Sequence, residues 1–141
     1  MLFRSSDQLE PLVRLLERVP HLRGVIDHIA KPRIRDGEIE PWLTHMRTLA
    51  GYPNLYCKLS GMVTEADHRS WKPEDFTPYI RHVLDLFGPD RVLFGSDWPV
   101  CLLAAEYDEV VQVLTRALPE DWSDQERAKL FGLNARKVYR I

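Results

Sequence analysis

The spacing of apolar positions changes along the chain. In residues 7–19 they fall at Leu9, Leu12, Val13, Leu15, Leu16 and Val19, the period of a helix with one buried face, and Pro20 stops it. Val25-Ile26-Asp27-His28-Ile29 is a short β-branched run closed by Lys31-Pro32, and it reads as a strand. Residues 33–40 are charged and carry the turn signal Asp36-Gly37. Pro41 suits the first position of a helix that runs to about Ala50. Residues 51–54 connect it to a second strand, 55–59, ended by Ser60-Gly61. A longer loop, 62–72, carries Glu65, Asp67, His68 and Trp71, and long loops in compact domains are often functional. Pro73 opens a third helix with Phe76, Ile80, Val83, Leu84 and Phe87 on one side, although Pro78 in its first turns argues for a later start. Gly88-Pro89-Asp90 ends that helix, and a third strand follows at 91–96. Residues 106–118 are helical in period. Ser123 to Glu126 matches a capping box, predicting a helix to about Phe131, with Gly132 closing it and Asn134 capping a last short helix to Tyr139. Strands alternating with helices predict an α/β fold with a parallel sheet.

Composition narrows the function. The chain has 141 residues and a net charge of -2, which suits one domain with a sizeable core. Its charges are mixed in sign, so nothing points to nucleic acid or to an anionic membrane surface. No apolar stretch is long enough to span a bilayer, and the first residues lack the apolar core of a secretory signal. Cys57 and Cys101 are too few for a disulfide framework, and no Cys-x-x-Cys pair exists. The expected setting is reducing and cytoplasmic.

The chemistry sits at the ends of the apolar runs. The first run ends in Asp27 and His28, the second in Lys58 and Ser60, the third in Ser96 and Asp97. Strand residues alternate faces, so His28 shares a side with Ile26, Lys58 with Tyr56 and Ser60, and Asp97 with Leu93 and Gly95. If those sides look into one interior, His28, Lys58 and Asp97 meet at a common rim. A His, a Lys and an Asp there can bind a metal, polarise a carbonyl or move protons. Each also has a structural reading. Asp97 can cap the turn Ser-Asp-Trp-Pro, His28 can be a hydrogen-bonded structural residue, Lys58 can snorkel, and Asp27 can cap a loop or pair with a Lys or Arg.

Residues 25–32, 54–61 and 91–101, in that order, resemble the amidohydrolase-2 family, and within it the sugar lactonase branch that includes L-fuconolactonase-like proteins. Met62 to Asp67 and the tail Asn134 to Tyr139 fit the same branch. The resemblance implies a (β/α)8 barrel that hydrolyses lactones or decarboxylates small acids. It implies that His28 lies at the catalytic rim and ligates a divalent, zinc-like metal in members that use one. It implies that Asp97, on the last barrel strand, is the general base or a metal contact, with Lys58, Ser60 and Trp98 around a sugar-lactone substrate and Trp71 or Trp98 stacking on it. Such a barrel usually needs ~250 residues. This chain is shorter and has no His-x-His pair, which the family carries on its first strand. It is therefore expected to be the C-terminal part of a barrel, about strands five or six to eight, with residues 1–3 as the remnant of strand five and the N-terminal half missing. The function expected is lactone hydrolysis in carbohydrate metabolism. The alternatives are an inactive fragment that acts only by association and a decarboxylase. Exposed apolar edges predict self-association or pairing with a missing N-terminal half.

Overall fold

The computed structural model describes residues 2–3 and 6–141, the side chains of Leu2, Phe3 and Ser6 excepted. Four parallel strands lie side by side in chain order: β1 (Leu2–Phe3), β2 (Gly24–Ile26), β3 (Leu55–Leu59) and β4 (Val92–Phe94). A helix crosses between each successive pair, α1 (Leu9–Arg18), α2 (Trp42–Ala50) and α3 (Pro73–Phe87). Parallel pairing requires such crossovers. Beyond β4 come α4 (Tyr107–Ala117), α5 (Asp124–Ala128) and α6 (Asn134–Tyr139). The register sets Leu2 against Val25, Val25 against Tyr56, and Lys58 against Leu93. The expected strand remnant at the start of the chain is thus a strand at Leu2–Phe3, while Met1 lies outside the described residues. Among the described residues no helix is long and apolar enough to cross a membrane.

Alternation along the strands decides which side meets the helices. Ile26, Leu55, Cys57, Leu59 and Val92 are buried in one core with Leu9, Leu12 and Leu16 of α1, Met46 and Leu49 of α2, and Phe76, Ile80 and Val83 of α3. The opposite side carries Val25, Tyr56, Lys58 and Leu93, the side on which the polar chemistry collects. Arg91 closes the far end of the sheet. Its guanidinium donates to the carbonyls of Ala50, Tyr52 and Leu55 at 3.0–3.3 Å and lies over the Phe87 ring.

Several elements differ from the sequence reading. The third predicted strand, 91–96, spans only Val92–Phe94 and leaves Asp97 three residues beyond it. The run from Val25 continues as a strand only to Ile26, and residues 27–30 form a tight 3-10 turn. Helix α3 begins at Pro73, not later. Pro78 removes only the bond to the Glu74 carbonyl, and both residues are exposed, so water replaces it. Gly132 does not close α5, and Asn134 does not cap α6. The two helices are joined through a π turn, Lys129–Leu133. Asn134 is buried, and its amide donates to the carbonyls of Pro89 at 2.8 Å and Val92 at 2.9 Å. The Ser123 capping box forms as its spacing predicts, with Ser123 N–H on Glu126 at 2.7 Å.

Candidate functional site

The site begins where β2 stops. His28, Ile29, Ala30 and Lys31 all have positive φ, 51°, 44°, 59° and 48°. Left-handed backbone costs an L-residue roughly 1–2 kcal/mol, and none of these is glycine. The turn persists because its surroundings leave it no alternative. Ile29 and Ala30 are fully buried in the core. The Trp42 indole donates to the Ile29 carbonyl at 2.7 Å, and Lys31 N–H donates to the His28 carbonyl at 2.8 Å. Trp42 is itself held edge-on by Tyr79, whose hydroxyl donates to the Glu38 carbonyl. The result is that Asp27 and His28 project together at the end of the sheet.

β3 and β4 bring the rest. His28 Nδ1 lies 2.9 Å from Ser60 Oγ. His28 Nε2 lies 3.5 Å from Asp27 Oδ2 and 3.8 Å from Asp97 Oδ1. Lys58 Nζ sits 3.2 Å from Asp27 Oδ1. The spacing tolerates no bulk. A Cβ on Gly61 would lie 2.5 Å from His28 Nδ1, and one on Gly95 would lie 2.5 Å from Lys58 Cε and 3.0 Å from Ser60 Cβ. Gly61 and Asp97 also have positive φ, both 59°. Burial holds the His28 imidazole below its ordinary value, against the opposite pull of the Asp27 and Asp97 carboxylates, while Lys58 and Lys31 lower it further. The ring has carboxylates on one edge and a hydroxyl on the other.

His28, Lys58 and Asp97 come together, but only Lys58 does so from a strand: His28 arrives by the left-handed turn after β2 and not by sharing a strand face with Ile26, and Asp97 lies three residues past the end of β4 with φ 59° and not on a strand face with Leu93. Asp27 is the counter-ion of Lys58, one of the roles open to it from sequence. Ser60 is fully buried behind the imidazole. Trp98 is 63% exposed at the rim. In the loop 62–72 the Trp71 indole N–H is committed to the Ala104 carbonyl at 2.7 Å and its ring meets Phe76 edge-on, so it fastens the loop to the segment after β4. Lys31 pairs with Glu65 at 3.0 Å and ties the same loop to the turn after β2. Trp42, Gly61 and Gly95 carry the site yet send no signal in the sequence beyond two glycines beside strand ends.

A divalent ion bound at ~2.0–2.2 Å in tetrahedral geometry separates neighbouring ligand atoms by roughly 3.3 Å. The 3.8 Å between His28 Nε2 and Asp97 Oδ1 comes near that value. Among the described residues no group of three or more His, Cys, Asp or Glu side chains is placed to hold an ion. His28 and Asp97 fit two corners of such a site and do not close it.

The chain is similar to known proteins. The chain is 42% identical over 142 residues to an L-fucono-1,5-lactonase of Burkholderia ambifaria, covering 94% of this chain and 47% of that protein. It is 42% identical over 129 residues to an L-fucono-1,5-lactonase of Burkholderia multivorans, covering 83% of this chain and 43% of that protein. A crystal structure of an amidohydrolase from Burkholderia multivorans with bound Zn superimposes with a TM-score of 0.88 at 39% identity, over 97% of this chain and 50% of that one. The chain thus spans about half the length of the relatives it matches. The sequence model of the amidohydrolase family matches residues 2–141, and the chain belongs to that family.

Proposed function

We propose that this chain supplies the acid–base side of a sugar-lactone hydrolase of the L-fuconolactonase kind. The observation that carries the reading is the convergence of His28, Asp27, Lys58 and Asp97 at one end of a parallel sheet. The lactonase relatives at 42% identity supply the substrate class.

The reaction is acyl transfer to water. Asp97 takes a proton from a water molecule as its oxygen bonds to the lactone carbonyl carbon. The negative charge that develops on the carbonyl oxygen is met by the His28 ring and the Lys58 ammonium. The ring C–O bond then breaks, and Asp97 returns its proton to the departing hydroxyl. Asp27, paired with Lys58, holds that ammonium in place. Trp98 stands at the open rim, where an aromatic face can stack on a sugar. His28 and Asp97 would hold a divalent ion, with further ligands from outside this chain. Such an ion polarises a carbonyl or lowers the pKa of bound water.

The partner is the other half of a barrel. Trp98, Val100, Leu102, Leu103 and Tyr107, all exposed, form an apolar segment beyond β4, and we assign it to association, with a complementary half barrel or a second copy. A reducing cytoplasm suits the two free, buried cysteines.

Product analysis in water enriched in heavy oxygen tests the reaction type. The chain is joined to the N-terminal half of the Burkholderia ambifaria relative and given L-fucono-1,5-lactone. Hydrolysis places one heavy oxygen in the product carboxylate. Release of carbon dioxide, or an unlabelled carboxylate, would overturn the proposal.

A further inference from the structure

A second groove, of about 510 Å³, lies between the loop 62–72 and α4, and none of His28, Lys58 or Asp97 lines it. The loop side is fixed by its own bonds. Asp67 Oδ1 accepts from the backbone N–H groups of Arg69 at 3.0 Å and Ser70 at 3.2 Å, a turn of the kind aspartate makes. His68 Nε2 donates to the Thr64 carbonyl at 3.0 Å. Trp71, fastened to the Ala104 carbonyl, forms a wall. The helix side presents Gln112 and Arg116, four residues apart and so on one face. Glu109 is the one carboxylate among the lining residues, and it accepts from the Glu106 N–H at 2.8 Å. Asp67 is taken up by the turn and by Arg35 at 3.6 Å. Among the described residues neither Arg69 nor Arg116 is in an ion pair.

We propose that this groove is a binding site for a small oxyanion, phosphate or carboxylate, carried on a hydroxylated body. A guanidinium presents parallel N–H donors that match either anion. The two here outnumber the single carboxylate, which is already engaged. The Gln112 amide can donate to a hydroxyl or accept from one. The Trp71 ring offers an apolar wall to the carbon face of the ligand. The volume lies in the range of small-molecule sites. The groove is separate from the strand-end cluster, so the inference stands or falls without lactone hydrolysis.

The indole N–H signals of the isotopically labelled full chain report occupancy, with Trp71→Phe to assign the signal beside the groove. Inorganic phosphate and L-fuconate are titrated in turn, with chloride holding the ionic strength constant and uncharged L-fucose as the control. The expected result is a saturating shift of the Trp71 signal with phosphate, with L-fuconate or with both, which identifies the anion, and no shift with L-fucose. Arg69→Gln and Arg116→Gln should each weaken binding about tenfold or more, the worth of a charged hydrogen bond. The Trp42 indole does not line the groove, and its unchanged signal shows that each variant keeps its fold. No saturating shift with either anion, an equal shift with L-fucose, or unchanged affinity in both arginine variants overturns the inference. Shifts confined to Trp98 place the anion at the strand-end site and overturn it as well.

Discussion

At the scale of single residues, the account turns on His28 and what keeps it in place. The left-handed turn that carries it hangs on the Trp42 indole bonded to the Ile29 carbonyl. Trp42→Phe keeps most of the ring but leaves that carbonyl without its donor. The expected loss is about 1–3 kcal/mol, read as a shift of the denaturant midpoint. An unchanged midpoint would mean that packing alone holds the turn. Gly95→Ala places a Cβ against the flexible end of the Lys58 side chain and 3.0 Å from the Ser60 Cβ, and is expected to push the Lys58 ammonium away from Asp27 and to crowd Ser60. Its kcat in the joined enzyme should fall while the circular dichroism spectrum stays the same. Burial raises the thiols of both Cys57 and Cys101, so neither should react with a disulfide reagent until the chain unfolds. Fast labelling of either in the native protein would contradict the core described here. His28, Lys58 and Asp97 were legible as site candidates because each sits where an apolar run gives out. The turn itself was not, since four consecutive non-glycine residues of positive φ leave no mark in composition. Ser60 was legible only as a polar neighbour, because a hydroxyl's partner is fixed by tertiary approach.

At the scale of elements, the hydrophobic period gave the helices and the order of strands, and tertiary contacts set their ends. Strand β2 stops at Ile26, immediately before Asp27 and His28, because the chain must turn to bury Ile29 and Ala30. The last two helices join because Asn134 serves better as a tie than as a cap. Its amide satisfies the Pro89 and Val92 carbonyls beside β4. Asn134→Ala removes both bonds and is expected to cost roughly 1–3 kcal/mol, seen as a lowered Tm. A Tm within error of the wild type would place the join elsewhere. The same junction carries a pH signature. Lys129, at the start of the π turn, lies 2.7 Å from Asp90 and holds that carboxyl below the usual carboxylate range. A depressed carboxyl contributes stability that is present above its ordinary value and lost as pH falls through the folded value. Lys129→Met should therefore flatten the acid limb of the stability profile, with only tenths of a kcal/mol lost at neutral pH because the pair is largely exposed. A steeper acid limb would contradict the sign.

At the scale of the whole molecule, the three strand-end motifs were enough to read the family from sequence, and the match over residues 2–141 bears that out. How the parts sit together was less legible. A barrel lacking its N-terminal half was expected to expose apolar edges; Val25 and Leu93 on the site side of the sheet are buried, and much of the exposed apolar surface lies on the segment beyond β4, from Trp98 to Tyr107. That segment predicts association. Light scattering should give a mass above that of one chain at high concentration, and Leu103→Glu should return it to one chain. A monomer at every concentration would remove the association. The central claim is that Asp97 is the base of a lactone hydrolase site built partly from this chain. The measurement that reaches it directly is the rate of L-fucono-1,5-lactone hydrolysis by the joined enzyme, wild type against Asp97→Asn. The account predicts a loss of about a hundredfold or more in kcat, the range that removal of a general base brings. Equal rates in the two proteins would contradict it.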